Sequence, residues 1–229
     1  MKYFFDTEFF EGFHKPLFGK NRHFIDLISI GMVAEDGREY YAISNEFDLK
    51  VIWHNKDPWV KDNVLKKIHA ELCQKQSTYT KTHFYGLFAP FTLAGMQNLI
   101  KWHGKSNKQI ANDIRHFVYS PALKDFPSVS VFYGLDGSVD CWLEENSIEF
   151  YGYYADYDWV LFCSLFGRMM DLPKGFPMYC KDLKQMMDER GFGKSWKDRY
   201  CPEMDGEHSA IVDAYWNLSL FEALKTHAV

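Results

Sequence analysis

The sequence predicts an α/β fold in which three antiparallel strands open a mixed sheet, parallel strands follow, and helices flank the sheet. Three observations carry this. The first 44 residues hold three β-prone runs, the last two joined by an Asp-Gly turn. Beyond them, segments of helical period alternate with a further strand-like run, the layout of α/β and α+β domains. Hydrophobic residues make up 47% of 229, enough for a sizeable core.

The first run, residues 3–10 (YFFDTEFF), is aromatic apart from Asp6, Thr7 and Glu8. A polar connection containing Gly12, Pro16 and Gly19 leads to residues 24–34, mostly apolar. Asp36-Gly37 then turns the chain into residues 39–44, so strands two and three form a hairpin. Residues 45–70 read as a loop and then a helix starting at Asp57-Pro58, with Val60, Val64, Leu65 and Ile68 at helical spacing. Residues 71–104 read as an inserted arm with a short helix over 93–102. A helix capped by Ser106 carries Gln109, Ile110, Ile114, Phe117 and Val118, and Ser120-Pro121 is expected to end it.

Residues 121–145 form a second expected insertion, with a hairpin or edge strand at 129–133. Residues 147–154 read as a strand running into a helix whose N-cap is Asp158. After a loop with Pro173, Gly175 and Pro177, residues 181–190 read as a helix closed by Gly191. Residues 192–207 read as a polar loop, and 210–225 as the last helix. Neither a repeat nor a low-complexity linker divides the chain, so one domain over 1–229 is expected.

The net charge of -5 provides no global basic field, which excludes a nonspecific DNA coat protein; phosphate must be met by local cations or metal. Five scattered cysteines without a Cys-x-x-Cys pair indicate neither a disulfide framework nor a zinc knuckle. Apolar runs fall short of a membrane span, and acids at 6 and 8 do not fit a signal peptide. A soluble cytoplasmic protein with no membrane partner is expected.

In a strand, Asp6 and Glu8 project from the same face. Two adjacent carboxylates repel, and a divalent cation between them is the natural remedy. An isolated Asp-x-Glu reads first as a solvated strand end. Asp158 opens a middle helix, with Asp156 as a competing candidate, and Asp213 lies in an otherwise apolar helix. Five residues within one helix would turn His208 and Asp213 about 140° apart, so they share a site only if His208 precedes the helix. By itself Asp158 is a cap and His208 a solvated side chain. Jointly, in this order, the residues suit two-metal phosphodiester chemistry with an imidazole base.

Residues 5–9 (FDTEF), Tyr157-Asp158 and His208-x-x-x-x-Asp213 resemble the three motifs of the DEDDh 3'-5' exonucleases, whose fold is ribonuclease H-like. Residues 3–9, 27–44, 59–65 and 157–167 are more specifically similar to RNase AS, the polyadenylate-specific 3'-exoribonucleases. The resemblance implies Asp6, Glu8, Asp158 and Asp213 as ligands of two Mg²⁺ ions, replaceable by Mn²⁺, with Asp6 bridging both. It implies His208 as general base, and Thr7, Glu8, Phe9 and Trp59 near the terminal nucleotide. The implied substrate is the 3' end of single-stranded RNA, possibly adenylate-rich, the products nucleoside 5'-monophosphates, and the assembly a homodimer. Trp53, Tyr153, Tyr154 and Trp159 are further candidate stacking rings, and Lys194, Lys197 and Arg199 candidate phosphate contacts. Two alternatives stand beside this reading: a single-stranded DNA exonuclease, and a non-catalytic RNA-binding or scaffold module.

Overall fold

The computed structural model describes residues 1–14, 18–79, 90–123 and 137–227. Among these, five strands form one sheet in the order β3-β2-β1-β4-β5. They are β1 (Lys2–His14), β2 (Arg22–Ala34), β3 (Glu39–Ile43), β4 (Glu149–Gly152) and β5 (Lys181–Asp182). β1 lies at the centre, antiparallel to β2 and parallel to β4; β2 and β3 pair antiparallel, β4 and β5 parallel. This is the mixed sheet the sequence predicts. At the hairpin, Gly37 takes φ 85°, a conformation that favours glycine.

The described helices are α1 (Leu49–Trp53), α2 (Lys66–Tyr79), α3 (Leu93–His103), α4 (Asn107–Leu123) and α5 (Gly137–Glu145). They continue with α6 (Asp156–Phe166), α7 (Leu183–Glu189), α8 (Lys194–Tyr200) and α9 (Ala210–Thr226). A π-helical turn, Lys61–Leu65, leads into α2.

The two-residue period of β1 sorts its side chains. Tyr3 and Phe5 are buried with Ile114 and Val118 of α4 and Phe162 of α6. Phe4 instead packs with Tyr151, Leu183 and, on α9, Trp216 and Phe221. Asp6 and Glu8 share the parity of Phe4 and therefore face α9. The approach of α9 depends on Gly31, the partner of Asp6 in the β1–β2 ladder. A Cβ at Gly31 would stand 2.2 Å from the carbonyl oxygen of Ala210, the first residue of α9. Only glycine lets the helix start press against β2 opposite Asp6.

Several expectations are corrected. Pro121 does not end α4, which runs two residues further. The carbonyl left without a helical N–H by Pro121, that of Phe117, accepts from Arg38 Nη1 and from Ser120 Oγ at 3.0 Å. Lys181 and Asp182 belong to a strand: Asp182 keeps extended backbone angles and caps α7 by accepting from the Gln185 N–H at 2.9 Å. The loop expected over 192–207 contains α8, where Trp196 stacks on Phe192 at 4.4 Å and 4°. α1 was not foreseen; Asp48 caps it, accepting from Lys50 N and Val51 N. The expected strand at 129–133, and residues 80–89 of the arm, lie outside the described residues.

Candidate active site

Asp6, Glu8 and Asp213 meet where β1 passes the first turn of α9. One carboxylate oxygen from each lies within 4.8 Å of the others. Glu8 is buried and the other two are half-buried. The register of the β1–β2 ladder shifts between Glu8 and Phe9, where β2 carries one extra residue, Ile28, beside the second acid. Bulges of this kind re-aim side chains beside functional sites.

Asp158 is not the N-cap of α6. Ala155 holds that position, and Asp158 lies in the first turn. Its Oδ1 accepts from the backbone N–H of Thr7 at 2.9 Å and from the Thr7 hydroxyl. Thr7, between the two acids on β1, thus ties Asp158 to the strand. Asp158 falls outside the three-carboxylate group, yet it is the largest of the neighbouring charges acting on Asp6. Asp156 opens α6 as an exposed residue, so of the two candidates Asp158 is the one beside the cluster.

His208 precedes α9, as its spacing from Asp213 requires. It takes φ 64°, and its backbone N–H donates to Asp213 Oδ2 at 3.0 Å. The His208 ring stands edge-on to Trp59, centroids 4.8 Å apart and planes at 76°. Trp59 is 47% exposed, so much of its ring is open to a ligand.

Burial raises the proton affinity of all four acids, and at Asp6 and Glu8 the neighbouring carboxylates add to it. Burial and the charges of Asp158, Glu8 and Asp213 hold the Asp6 carboxyl well above the usual range. Burial, then Asp213 and Asp158, push Glu8 up to about 8, with Lys67 opposing. Burial lifts Asp158 to about 6 against its two Thr7 hydrogen bonds, and Asp213 to about 6 against the His208 N–H. Such a set gains most from a hard cation, which takes carboxylate oxygens and removes the repulsion.

Two clefts adjoin the cluster. One, of about 270 Å³, is lined by Asp6, Tyr153, Lys197, His208, Asp213 and Asn217. The other, of about 440 Å³, is lined by Glu8, Phe9, Trp59 and Val60 among others. Of the further aromatic candidates, Tyr154 is 65% exposed, whereas Trp159 stacks on Phe162 at 5.0 Å in the core and Trp53 packs on Phe91. Phe9 is half-buried with its ring edge-on to Tyr157. Lys197 sits over the Trp216 ring at 5.3 Å and pairs with Glu203 at 3.2 Å. Lys194 and Arg199 do not line either cleft.

Sequence reasoning missed two residues of α2 and one of α9. Glu71 accepts from the hydroxyls of Tyr41 at 3.1 Å and Ser209 at 2.8 Å, tying β3 to the residue that precedes α9. Lys67, one turn earlier, is the cation that acts on both Glu8 and Asp213. Their four-residue spacing was the available signal, but on a polar helix it reads as a solvated ion pair. Asn217 is 1% exposed; an amide four residues after Asp213, in an otherwise apolar stretch, was the corresponding signal on α9.

Fold and site together define the class: an α/β protein of ribonuclease H-like type whose carboxylates converge between the central strand of a mixed sheet and its last helix. No family model matches the chain. Two proteins of Mycobacterium tuberculosis, from strains CDC 1551 and H37Rv, are each named 3'-5' exoribonuclease. Each is 31% identical to the chain over 228 residues, covering 98% of this chain and 93% of the relative. The chain belongs to the 3'-5' exoribonuclease family. Among the described residues no helix is long and apolar enough to cross a membrane.

Proposed function

We propose that the chain hydrolyses single-stranded RNA from its 3' end, releasing nucleoside 5'-monophosphates, by the two-metal chemistry of the DEDDh exonucleases. The observation that carries the reading is the convergence of Asp6, Glu8 and Asp213 within 4.8 Å, with Asp6 and Asp213 in a cleft wall shared with His208. Four acids whose proton affinities are raised by burial, and at Asp6 and Glu8 also by repulsion from the others, are a hard-oxygen donor set that fits Mg²⁺ or Mn²⁺. Bound there, the cations supply Lewis-acid polarisation of the scissile phosphate and stabilise charge on the entering and leaving oxygens.

The remaining roles fall to side chains. Asp6, Glu8, Asp213 and Asp158 would hold the cations, Thr7 keeping Asp158 beside Asp6. A ring nitrogen of His208 takes the proton of the attacking water. The water oxygen bonds to phosphorus, the bond from phosphorus to the 3'-oxygen breaks, and that oxygen leaves with a proton. Trp59 offers its exposed ring to the terminal base, next to Phe9 in the larger cleft.

The substrate class rests on the names of the two relatives, and the likeness to RNase AS extends it to adenylate-rich ends and to a homodimer. The test is the purified protein with Mg²⁺ on poly(A), mixed-sequence RNA and single-stranded DNA, with products sized. Mononucleotides released from RNA, fastest from poly(A) and abolished by EDTA, are the expected result. Endonucleolytic fragments, degradation in EDTA, or faster turnover of DNA would overturn it. Light scattering checks the dimer.

A further inference from the structure

We propose that Asn217 is a positioning residue of the cation site: its buried Oδ1 accepts a hydrogen bond from the hydration shell of a divalent cation held by Asp6 and Asp213. The inference rests on the two-metal reading and extends it to a residue outside the four acids and the histidine.

Asn217 lies four residues after Asp213 on α9, hence on the same helix face one turn on. It lines the cleft with Asp6, His208 and Asp213. Its Nδ2 donates to the backbone carbonyl of Phe5 at 2.9 Å. A carbonyl can only accept, so this bond sets the orientation of the amide and leaves Oδ1 as the other arm. That oxygen is buried and has no hydrogen-bond partner among the described residues. A buried acceptor left unmade is costly, and leucine would fill similar space without it.

The surroundings identify the missing donor. With a cation bound, Asp6 and Asp213 are ionised and can only accept. Lys197 is the ammonium in the same cleft wall, and it is engaged by Glu203 at 3.2 Å and by the faces of Trp216 and Tyr153. Water polarised by a divalent cation is a strong donor that arrives with the ion, and it meets an acceptor already oriented by Phe5. Because Phe5 precedes Asp6, the same amide links the β1 backbone at a cation ligand to the helix that carries Asp213. Hydrogen bonds of this outer kind to metal sites typically change metal affinity by about 10- to 100-fold.

The experiment compares Asn217→Leu and Asn217→Asp with the natural chain, by calorimetric titration of EDTA-stripped protein with Mn²⁺ and by melting in EDTA. Asn217→Leu removes the acceptor and should bind Mn²⁺ about tenfold more weakly. Asn217→Asp keeps an acceptor oxygen and should bind at least as tightly as the natural chain, even where its melting temperature in EDTA falls. A purely structural role would move the melting temperatures and not this contrast in affinity. Unchanged affinity in Asn217→Leu, or equal losses in both variants, would overturn the proposal while leaving the cation site standing. If Asn217→Leu does not fold, weakened Mn²⁺ binding by Asn217→Asp overturns it and undiminished binding supports it. A natural chain without saturable Mn²⁺ binding would overturn the cation site and the role of Asn217 together.

Discussion

His208 hands its backbone N–H to Asp213 Oδ2 at 3.0 Å while its own backbone is held in the left-handed region at φ 64°. One bond across five residues therefore orients a proposed metal ligand and aims the proposed base. Non-glycine residues at positive φ are uncommon, and such strain persists where the surroundings enforce it.

His208→Asn separates these two functions. Asparagine tolerates left-handed backbone angles and retains the N–H toward Asp213, but it lacks an imidazole. Turnover should fall by about 10²- to 10⁴-fold, with KM and Mn²⁺ affinity within about threefold of the natural values. Steady-state kinetics on a labelled RNA checks this; a loss confined to KM would count against the base role.

Asp213→Asn should abolish Mg²⁺-dependent release of mononucleotides and yet stabilise the cation-free fold at higher pH. Asp158 and Asp213, each raised to about 6, and Glu8, raised to about 8, keep protons in the folded state that the unfolded chain has given up. Folding then takes up protons, so stability is complete below the unfolded carboxyl values near 4 and is lost as pH rises through about 6 and about 8. In EDTA the melting temperature of Asp213→Asn should exceed that of the natural chain by a margin that widens between about pH 5 and about pH 8. A margin that narrows with pH would refute the repulsion account.

Trp59→Ala should weaken substrate binding through loss of base stacking, about 1–3 kcal/mol, or roughly 5- to 150-fold in KM. The expected signature is a raised KM for RNA with Mn²⁺ affinity unchanged. A variant with normal KM and reduced kcat would instead make Trp59 a support for the His208 ring beside it.

Away from the site, Arg38→Met should destabilise by about 1–3 kcal/mol, because the Phe117 carbonyl loses one of its two donors, keeping only Ser120 Oγ, and Ser120 loses its Arg38 partner. Pro121→Ala supplies an N–H in the helical position and should reduce that penalty by about 1 kcal/mol. Urea unfolding of the two single variants and the double variant measures the coupling; strict additivity would show that the carbonyl was never the link.

Much of the fold is written in short-range periodicity. The hairpin of β2 and β3, the facing of Asp6 and Glu8, and the separation of His208 from Asp213 all follow from repeats of 2 and 3.6 residues together with one Asp-Gly turn. The misreadings arose where a local rule met a distant partner. Pro121 is tolerated inside a helix because Arg38, some 80 residues earlier, reaches the Phe117 carbonyl together with Ser120 Oγ. Two residues of helix-like sequence become β5 because Tyr151 and Gly152 of β4 are there to pair with them. The residues 192–207 looked polar and irregular, and Trp196 on Phe192 makes a helix of part of them.

The sequence by itself determined which groups reach the site and in what order along the chain, because side-chain facing is a property of a few consecutive residues. Only the tertiary structure decided how they meet. It turned Asp158 from a helix cap into a carboxylate held by Thr7, set Lys67 and Glu71 behind the acids, and buried the Asn217 amide between α9 and Phe5. Those relations depend on distances between elements far apart in the chain. Close packing sets such distances, as at Gly31, where the absence of one Cβ lets α9 lie against β2 opposite Asp6.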